Sequence, residues 1–152
     1  MDESVKVIDL KEKRNFLQQY IDLRNQYCKV LLTSQVDLPE TEDWMKGNLI
    51  EIRGMVKENI LLGVVILYLH REGEITFFVK NPNQGIGSQL LRIIEEVARQ
   101  EKLEYIWGWV LEDNLRAKKA FEKNRFIKEG TRERKFEGQV KSGTVYKKYL
   151  VG

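Results

Sequence analysis

The chain has one cysteine and one histidine in 152 residues. A lone Cys28 forbids an internal disulfide and suits a reducing compartment, so the protein is expected in the cytoplasm. With His70 the sole imidazole, the usual zinc donor sets cannot be assembled, and no metal is expected. A Cys28–His70 nucleophilic pair has no supporting pattern around it. Proline occurs only at Pro39 and Pro82, both read as loop positions. Long apolar runs are also missing. Ile60 to Leu69 is the longest, too short to cross a bilayer, and reads as a core strand. Met1-Asp2-Glu3-Ser4 lacks the basic and apolar regions of a secretory leader. No membrane association is expected.

Neither charge dominates: 26 basic and 23 acidic residues leave a net charge of +3. The basic residues gather late, at Arg116-Lys118-Lys119, Arg132-Arg134-Lys135 and Lys147-Lys148. They read as solvated surface, or as a patch for a polyanionic cofactor or nucleic acid. No nucleic-acid motif accompanies them, so no nucleic-acid partner is expected. A hydrophobic content of 42% over this length supports one core, and residues 1–152 read as a single domain.

Along the chain, Val5 to Ile8 reads as a strand, with Asp9 and Glu12 opening a long helix to about Ser34. Leu17, Tyr20, Ile21, Arg24, Cys28 and Leu31 share one face, an apolar stripe that only Arg24 interrupts, which makes Cys28 a small core residue. Gln35 to Glu40 reads as a loop, and Thr41 to Gly47 as a short capped helix. Asp37, Glu40, Glu42 and Asp43 suit a helix start, or a site that attracts a cationic substrate. Trp44 either pins that helix to the core or lines such a site. Leu49–Arg53, Ile60–Leu69 and Ile75–Val79 form an antiparallel meander, with a possible bulge at Gly63.

The remainder turns on the stretch from Thr76 to Arg92. Thr76 to Val79 is β-branched or aromatic, as a buried strand requires. Asn81-Pro82-Asn83 ends it, and Gly85 and Gly87 mark a sharp turn or a close ligand approach. From Ser88 a helix begins, with Leu90, Leu91, Ile94, Val97 and Ala98 on one face. A helix start preceded by glycines is a natural seat for phosphate. Leu103 to Leu111 is a further strand, so strand, helix and strand imply a right-handed crossover and parallel pairing. Asn114 caps a second short helix containing Ala117, Ala120 and Phe121. Two terminal strands follow, around Phe126–Phe136 and Thr144–Val151, separated by Gly138 and Gly143. The fold class is α+β: a mixed, mostly antiparallel sheet with helices on both faces.

Three segments resemble motifs of the GNAT superfamily of acyl-CoA-dependent N-acetyltransferases. They are Asn59-Ile60-Leu61-Leu62-Gly63-Val64, Phe78-Val79 through Gly85-Ile86-Gly87-Ser88-Gln89-Leu90-Leu91, and Asn114-Leu115-Arg116-Ala117 followed by Phe121 to Phe126. A Rossmann or P-loop reading fits less well, for no third glycine stands at position 90 and no Gly-Lys-Ser/Thr follows. The resemblance implies a GNAT-like fold with a splayed central pair of parallel strands. It implies acetyl-CoA as acetyl donor, with backbone groups near Phe78 and Val79 pairing with pantetheine. Gln84, Gly85, Ile86, Gly87 and Ser88 would cradle the pyrophosphate, and Asn114, Ala117 and Phe121 would border the cofactor.

The implied chemistry is direct acetyl transfer to a primary amine of a small molecule or peptide, by a monomer or homodimer. An amide of the splayed strand, at Val79, would polarise the thioester carbonyl. Glu74 is the candidate base, alone or through water. The sequence departs from the family at Pro82, at Arg125 where a glycine is usual, and at Phe121 where the family often carries a tyrosine acid. Either the thiolate leaves without a dedicated acid, or Tyr146 or Tyr149 serves, or the chain is a catalytically silent acyl-CoA-binding module.

Overall fold

The computed structural model describes residues 5–31, 33, 35–82 and 84–150, excluding the side chains of residues 29 and 30. Ser34, Asn83 and Val151, expected at a helix end, in the glycine turn and in the last strand, lie outside the described residues.

Seven strands form one sheet in the order β1-β2-β3-β4-β5-β7-β6. They are β1 (Val5–Asp9), β2 (Ile50–Lys57), β3 (Ile60–Tyr68), β4 (Glu74–Val79), β5 (Tyr105–Leu111), β6 (Ile127–Phe136) and β7 (Gln139–Tyr149). Every neighbouring pair is antiparallel except β4 and β5. The meander expected from Leu49 to Val79 is present. The bulge falls at Leu62, because Met55 pairs with Gly63 and Val56 with Leu61. Gly63 serves packing instead: a Cβ there would lie 3.0 Å from both Ile86 and Leu90 side chains.

The helices are α1 (Leu17–Gln26), α2 (Cys28–Leu31), α3 (Leu38–Met45), α4 (Ile86–Gln100) and α5 (Leu115–Lys123). One core lies between the sheet and α4, built on Val65, Leu67, Leu90, Leu91 and Ile94. The other lies under α1 and α3, built on Leu17, Tyr20, Val64, Ile66 and Phe78. β3 is therefore buried on both faces, which explains its unbroken apolar sequence. Helix α4 follows its predicted periodicity, with Leu90, Leu91, Ile94, Val97 and Ala98 all buried. Full burial of each large aliphatic side chain contributes about 1.5–3 kcal/mol.

The single long helix expected before Ser34 is broken. Tyr27 leaves the helical region at φ −106° and ψ 8°, and α2 restarts at Cys28. Cys28 lies at this break and is half-buried, not a core residue. The loop expected at Gln35–Glu40 is shorter. Asp37 caps α3 by accepting the Glu40 N–H at 3.0 Å, and Pro39 stands in the first turn, where its missing N–H costs nothing. The terminal hairpin turns at Glu137 and Gly138, with φ of 51° and 76°. Two consecutive left-handed residues match the right-handed twist of the flanking strands. Gly143 lies inside β7, where a Cβ would run into the Trp109 indole.

Candidate active site

Strands β4 and β5 are joined only at one end. Their register consists of Glu74 opposite Trp107, secured by the Trp107 N–H donating to the Gly73 carbonyl at 3.1 Å. Beyond that point they diverge. The gap is lined by Glu74–Phe77 of β4, Trp109–Leu111 of β5, and Asn114, Ala117 and Phe121 of α5. On its other edge β4 is fully paired to β3, and the Lys80 N–H donates to Leu62 at 2.8 Å. Antiparallel pairing alternates, so Phe78 also turns its backbone groups toward β3. Phe77 and Val79 turn theirs toward the gap. The Val79 amide therefore points toward the gap, whereas that of Phe78 points toward β3. The Val79 carbonyl accepts from the Tyr27 hydroxyl at 2.6 Å.

A cleft of about 510 Å³ opens from this gap toward the start of α4. Val79, Gly85, Gly87, Ser88, Asn114 and Ala117 line it, as does Phe78. Gly85 caps the helix at φ +75°, a conformation that side-chain-bearing residues rarely adopt. Gly87 answers a different need. A Cβ there would lie 2.9 Å from the Phe77 ring, itself a wall of the cleft. Of the two needs expected of these glycines, a sharp turn or a close approach, Gly85 meets the first through its backbone conformation, and Gly87 makes room for a neighbouring ring. The amides of Ile86, Gly87 and Ser88 precede the first helical bond of Gln89 to Gly85 and are therefore donors in search of an acceptor. Arg116, Lys119 and Lys123 project along the same cleft from α5. Their spacing puts them on one helix face, and with the α4 N-terminus they make it attractive to a polyanion. Gln84 is exposed and outside the lining, and the Ile86 side chain is buried in the core.

A second cleft, of about 400 Å³, lies on the α1–α3 side of β4. Glu74, Thr76 and Phe78 form its floor, with Tyr20, Trp44 and Tyr68 among its walls. Leu31 lines both clefts. Glu74 is buried, 5% exposed. Arg134 donates to its carboxylate at 2.9 Å, and Arg71 stands 3.7 Å away. Among the acidic residues of the α3 region, Asp37 is spent as a cap and Asp43 pairs with Lys46 at 3.5 Å; Glu40 lines the cleft. Trp44 does both things considered for it, stacking on Tyr20 at 6.3 Å while walling the cleft. Burial raises the Tyr20 and Tyr68 phenol pKa values, against the pull of Arg24 on both and of Arg71 on Tyr68.

The two catalytic candidates fare differently. Glu74 faces the gap and the second cleft. Tyr146 is 1% exposed, and its hydroxyl donates to Glu122 at 2.6 Å. Burial and the Glu122 carboxylate both push its pKa up, away from easy proton release. Phe121 stacks flat on the Tyr146 ring and takes the position at the gap. Tyr149 is 56% exposed, beside Tyr105 on the outer part of the sheet. Asn114 caps α5, accepting the Ala117 N–H at 3.3 Å, and borders the gap. His70 is exposed, with its Nδ1 3.4 Å from the Leu49 carbonyl oxygen. Residues not foreseen are Phe77, Tyr27 and the arginines of the second cleft. Arg134 lies 60 positions from Glu74 on the terminal hairpin, a pairing that no local pattern announces.

The described residues hold no cluster of histidine, cysteine or acidic side chains suited to a metal, and no helix among them is long and apolar enough to cross a membrane. No curated protein matches the chain in sequence. Solved structures match across the whole fold. A ribosomal-protein-alanine N-acetyltransferase from Brucella melitensis is 17% identical with a TM-score of 0.83, covering 95% of this chain and 99% of its own. Spermidine N-acetyltransferase from Vibrio cholerae, solved with CoA and spermine, is 17% identical with a TM-score of 0.82, covering 98% and 97%. Salmonella typhimurium yncA, solved with its cofactor acetyl-CoA, is 12% identical with a TM-score of 0.80, covering 98% and 95%. The family model for the acetyltransferase (GNAT) family matches residues 17–126. With its seven-stranded sheet, its single parallel strand pair splayed over a glycine-led helix and its family match over most of the sequence, the chain belongs to the GNAT family of acetyltransferases, enzymes that take their acetyl group from acetyl-CoA.

Proposed function

We propose that the protein transfers the acetyl group of acetyl-CoA directly to a primary amine of a small molecule or peptide. The observation that carries this reading is that two clefts, one basic and beside a helix start, the other walled by aromatics, meet along β4. A donor in the first and an acceptor in the second come together at Thr76–Phe78. Such positioning supplies a large part of the rate of a two-substrate reaction.

The chain's own groups divide the work. The amides of Gly85, Ile86, Gly87 and Ser88 hold the pyrophosphate, helped by Arg116, Lys119 and Lys123. Phe77 and Val79 offer backbone groups to pantetheine as an added strand does, and an amide there polarises the thioester carbonyl. The neutral amine attacks that carbonyl, the carbon–sulfur bond breaks, and the thiolate of CoA departs with the electron pair. Glu74 receives the amine proton, directly or through water. Tyr146 is withdrawn from the acid role by its bond to Glu122. The thiolate, a far weaker base than an alkoxide, leaves without a tyrosine donor.

Release of free thiol from acetyl-CoA, followed against a panel of amines and peptide N-termini, tests this. Turnover with at least one acceptor is expected. Tight CoA binding with no turnover across the panel would instead mark a silent acyl-CoA-binding module.

A further inference from the structure

The lining of the acceptor cleft is not anionic, although Glu40 of α3 belongs to it. Arg24, Arg71 and Arg134 line it against Glu40 and Glu74. Glu74 is already shared by two of those guanidiniums, Arg134 at 2.9 Å and Arg71 at 3.7 Å. Even with both carboxylates ionised, the lining carries one net positive charge. Tyr20, fully buried and part of the same wall, has a hydroxyl that faces the Arg24 guanidinium, a donor, and finds no acceptor for its own proton among the described residues. A buried donor left in that state costs free energy until something accepts from it. Guanidinium groups and a phenol O–H together suit a carboxylate, which accepts on two oxygens.

From this we infer that the acceptor amine also carries a carboxylate, as a free amino acid does. The amine faces Glu74 and the gap, while the carboxylate lies toward Arg24, Arg71 and the Tyr20 hydroxyl. The positive lining serves the chemistry too, since nearby cations favour the neutral amine that must attack. At about 400 Å³, with Trp44, Tyr20 and Tyr68 in its walls, the cleft has room for a side chain beyond the amino acid backbone.

The inference rests on the acetyl-transfer reading, and the experiment separates the two. The common amino acids are assayed by thiol release beside their carboxamides and decarboxylated amines. In parallel, each is tested for thermal stabilisation of the CoA-saturated protein. Expected are turnover of one or more amino acids and a loss of about tenfold or more in kcat/KM when the carboxylate is removed. In R24Q and R71Q, which leave the Arg134–Glu74 bond in place, KM for the amino acid should rise by a similar factor with KM for acetyl-CoA unchanged. Equal or faster turnover of the amides and plain amines overturns the inference and leaves acetyl transfer standing. No turnover of any compound counts against acetyl transfer. The stabilisation data then decide the inference alone, which fails if no amino acid stabilises the protein more than its carboxamide.

Discussion

The phenyl ring of Phe121 lies flat on the ring of Tyr146, with centroids 5.4 Å apart and planes 3° from parallel. The Tyr146 hydroxyl is thereby directed to Glu122, away from the gap that Phe121 faces. Tyr146→Phe should therefore leave kcat within about twofold, while lowering stability by roughly 1–2 kcal/mol for the lost bond to a carboxylate. Thiol-release kinetics and urea unfolding measure the two effects separately. A hundredfold fall in kcat would restore Tyr146 as the acid.

Restoring a tyrosine at 121 should not speed the reaction. The tip of the Phe121 ring abuts Gly108 so closely that a Cβ there would lie 2.5 Å from Cζ. A hydroxyl on that carbon overpacks the site. Phe121→Tyr is expected to cost about 1–3 kcal/mol of stability with no gain in kcat, measured by thermal unfolding and thiol release.

Gly87 offers a cleaner test of the donor cleft than Gly85. Gly87→Ala pushes on the Phe77 ring, so acetyl-CoA should bind about tenfold more weakly, a loss of about 1.4 kcal/mol. Calorimetric titration with CoA reads the change, and circular dichroism checks that the fold is retained. Unchanged affinity would show that the Phe77 wall does not contact the donor.

Arg125 occupies the left-handed position after α5, at φ 67°. Around it the Phe126 N–H donates to Phe121 at 3.0 Å and the Arg125 N–H to Glu122 at 3.1 Å. These are the paired bonds of a helix C-terminus that normally ends on glycine. The departure noticed in the sequence is thus a backbone matter, remote from the chemistry. Arg125→Gly should stabilise the protein by about 0.5–1 kcal/mol through relief of that conformation. A denaturant midpoint that falls instead would contradict this.

Acid should loosen the join between α4 and the end of β7. Burial alone would raise the Glu95 pKa, but bonds from Lys148 at 2.6 Å and Arg99 at 2.9 Å outweigh it and hold the carboxyl below its usual value. A depressed native pKa means this stabilisation is complete above the unfolded value, near 4.5, and is lost as pH falls through the native one. Glu95→Gln should therefore be less stable than wild type at neutral pH, with a flatter loss of stability below about pH 4.5. Unfolding free energy measured across that range tests it.

Local chemistry made some of this fold legible and concealed the rest. The periodicity of Leu90 to Ala98 and the unbroken apolar run of β3 are written in adjacent residues, so their elements could be located directly. The break at Tyr27 could not, because an apolar face continues through Leu31 and the residue that interrupts it is held by a tertiary bond to Val79. The turn and helix start that border the larger cleft were legible because the glycines and the helix are contiguous. The charge of the cleft on the α1–α3 side could not be read locally, because Arg24, Arg71 and Arg134 come from three separate elements, while of the acidic residues around α3 Asp37 serves as a cap and Asp43 pairs with Lys46.

The central claim is that β4 and β5 part to receive the donor. A crystal structure with CoA tests it most directly. Pyrophosphate is expected on the amides of Gly85 to Ser88, pantetheine in the gap beside Phe77 and Val79, and the sulfur near Phe121. CoA bound elsewhere, or β4 and β5 paired along their full length with CoA present, would contradict it.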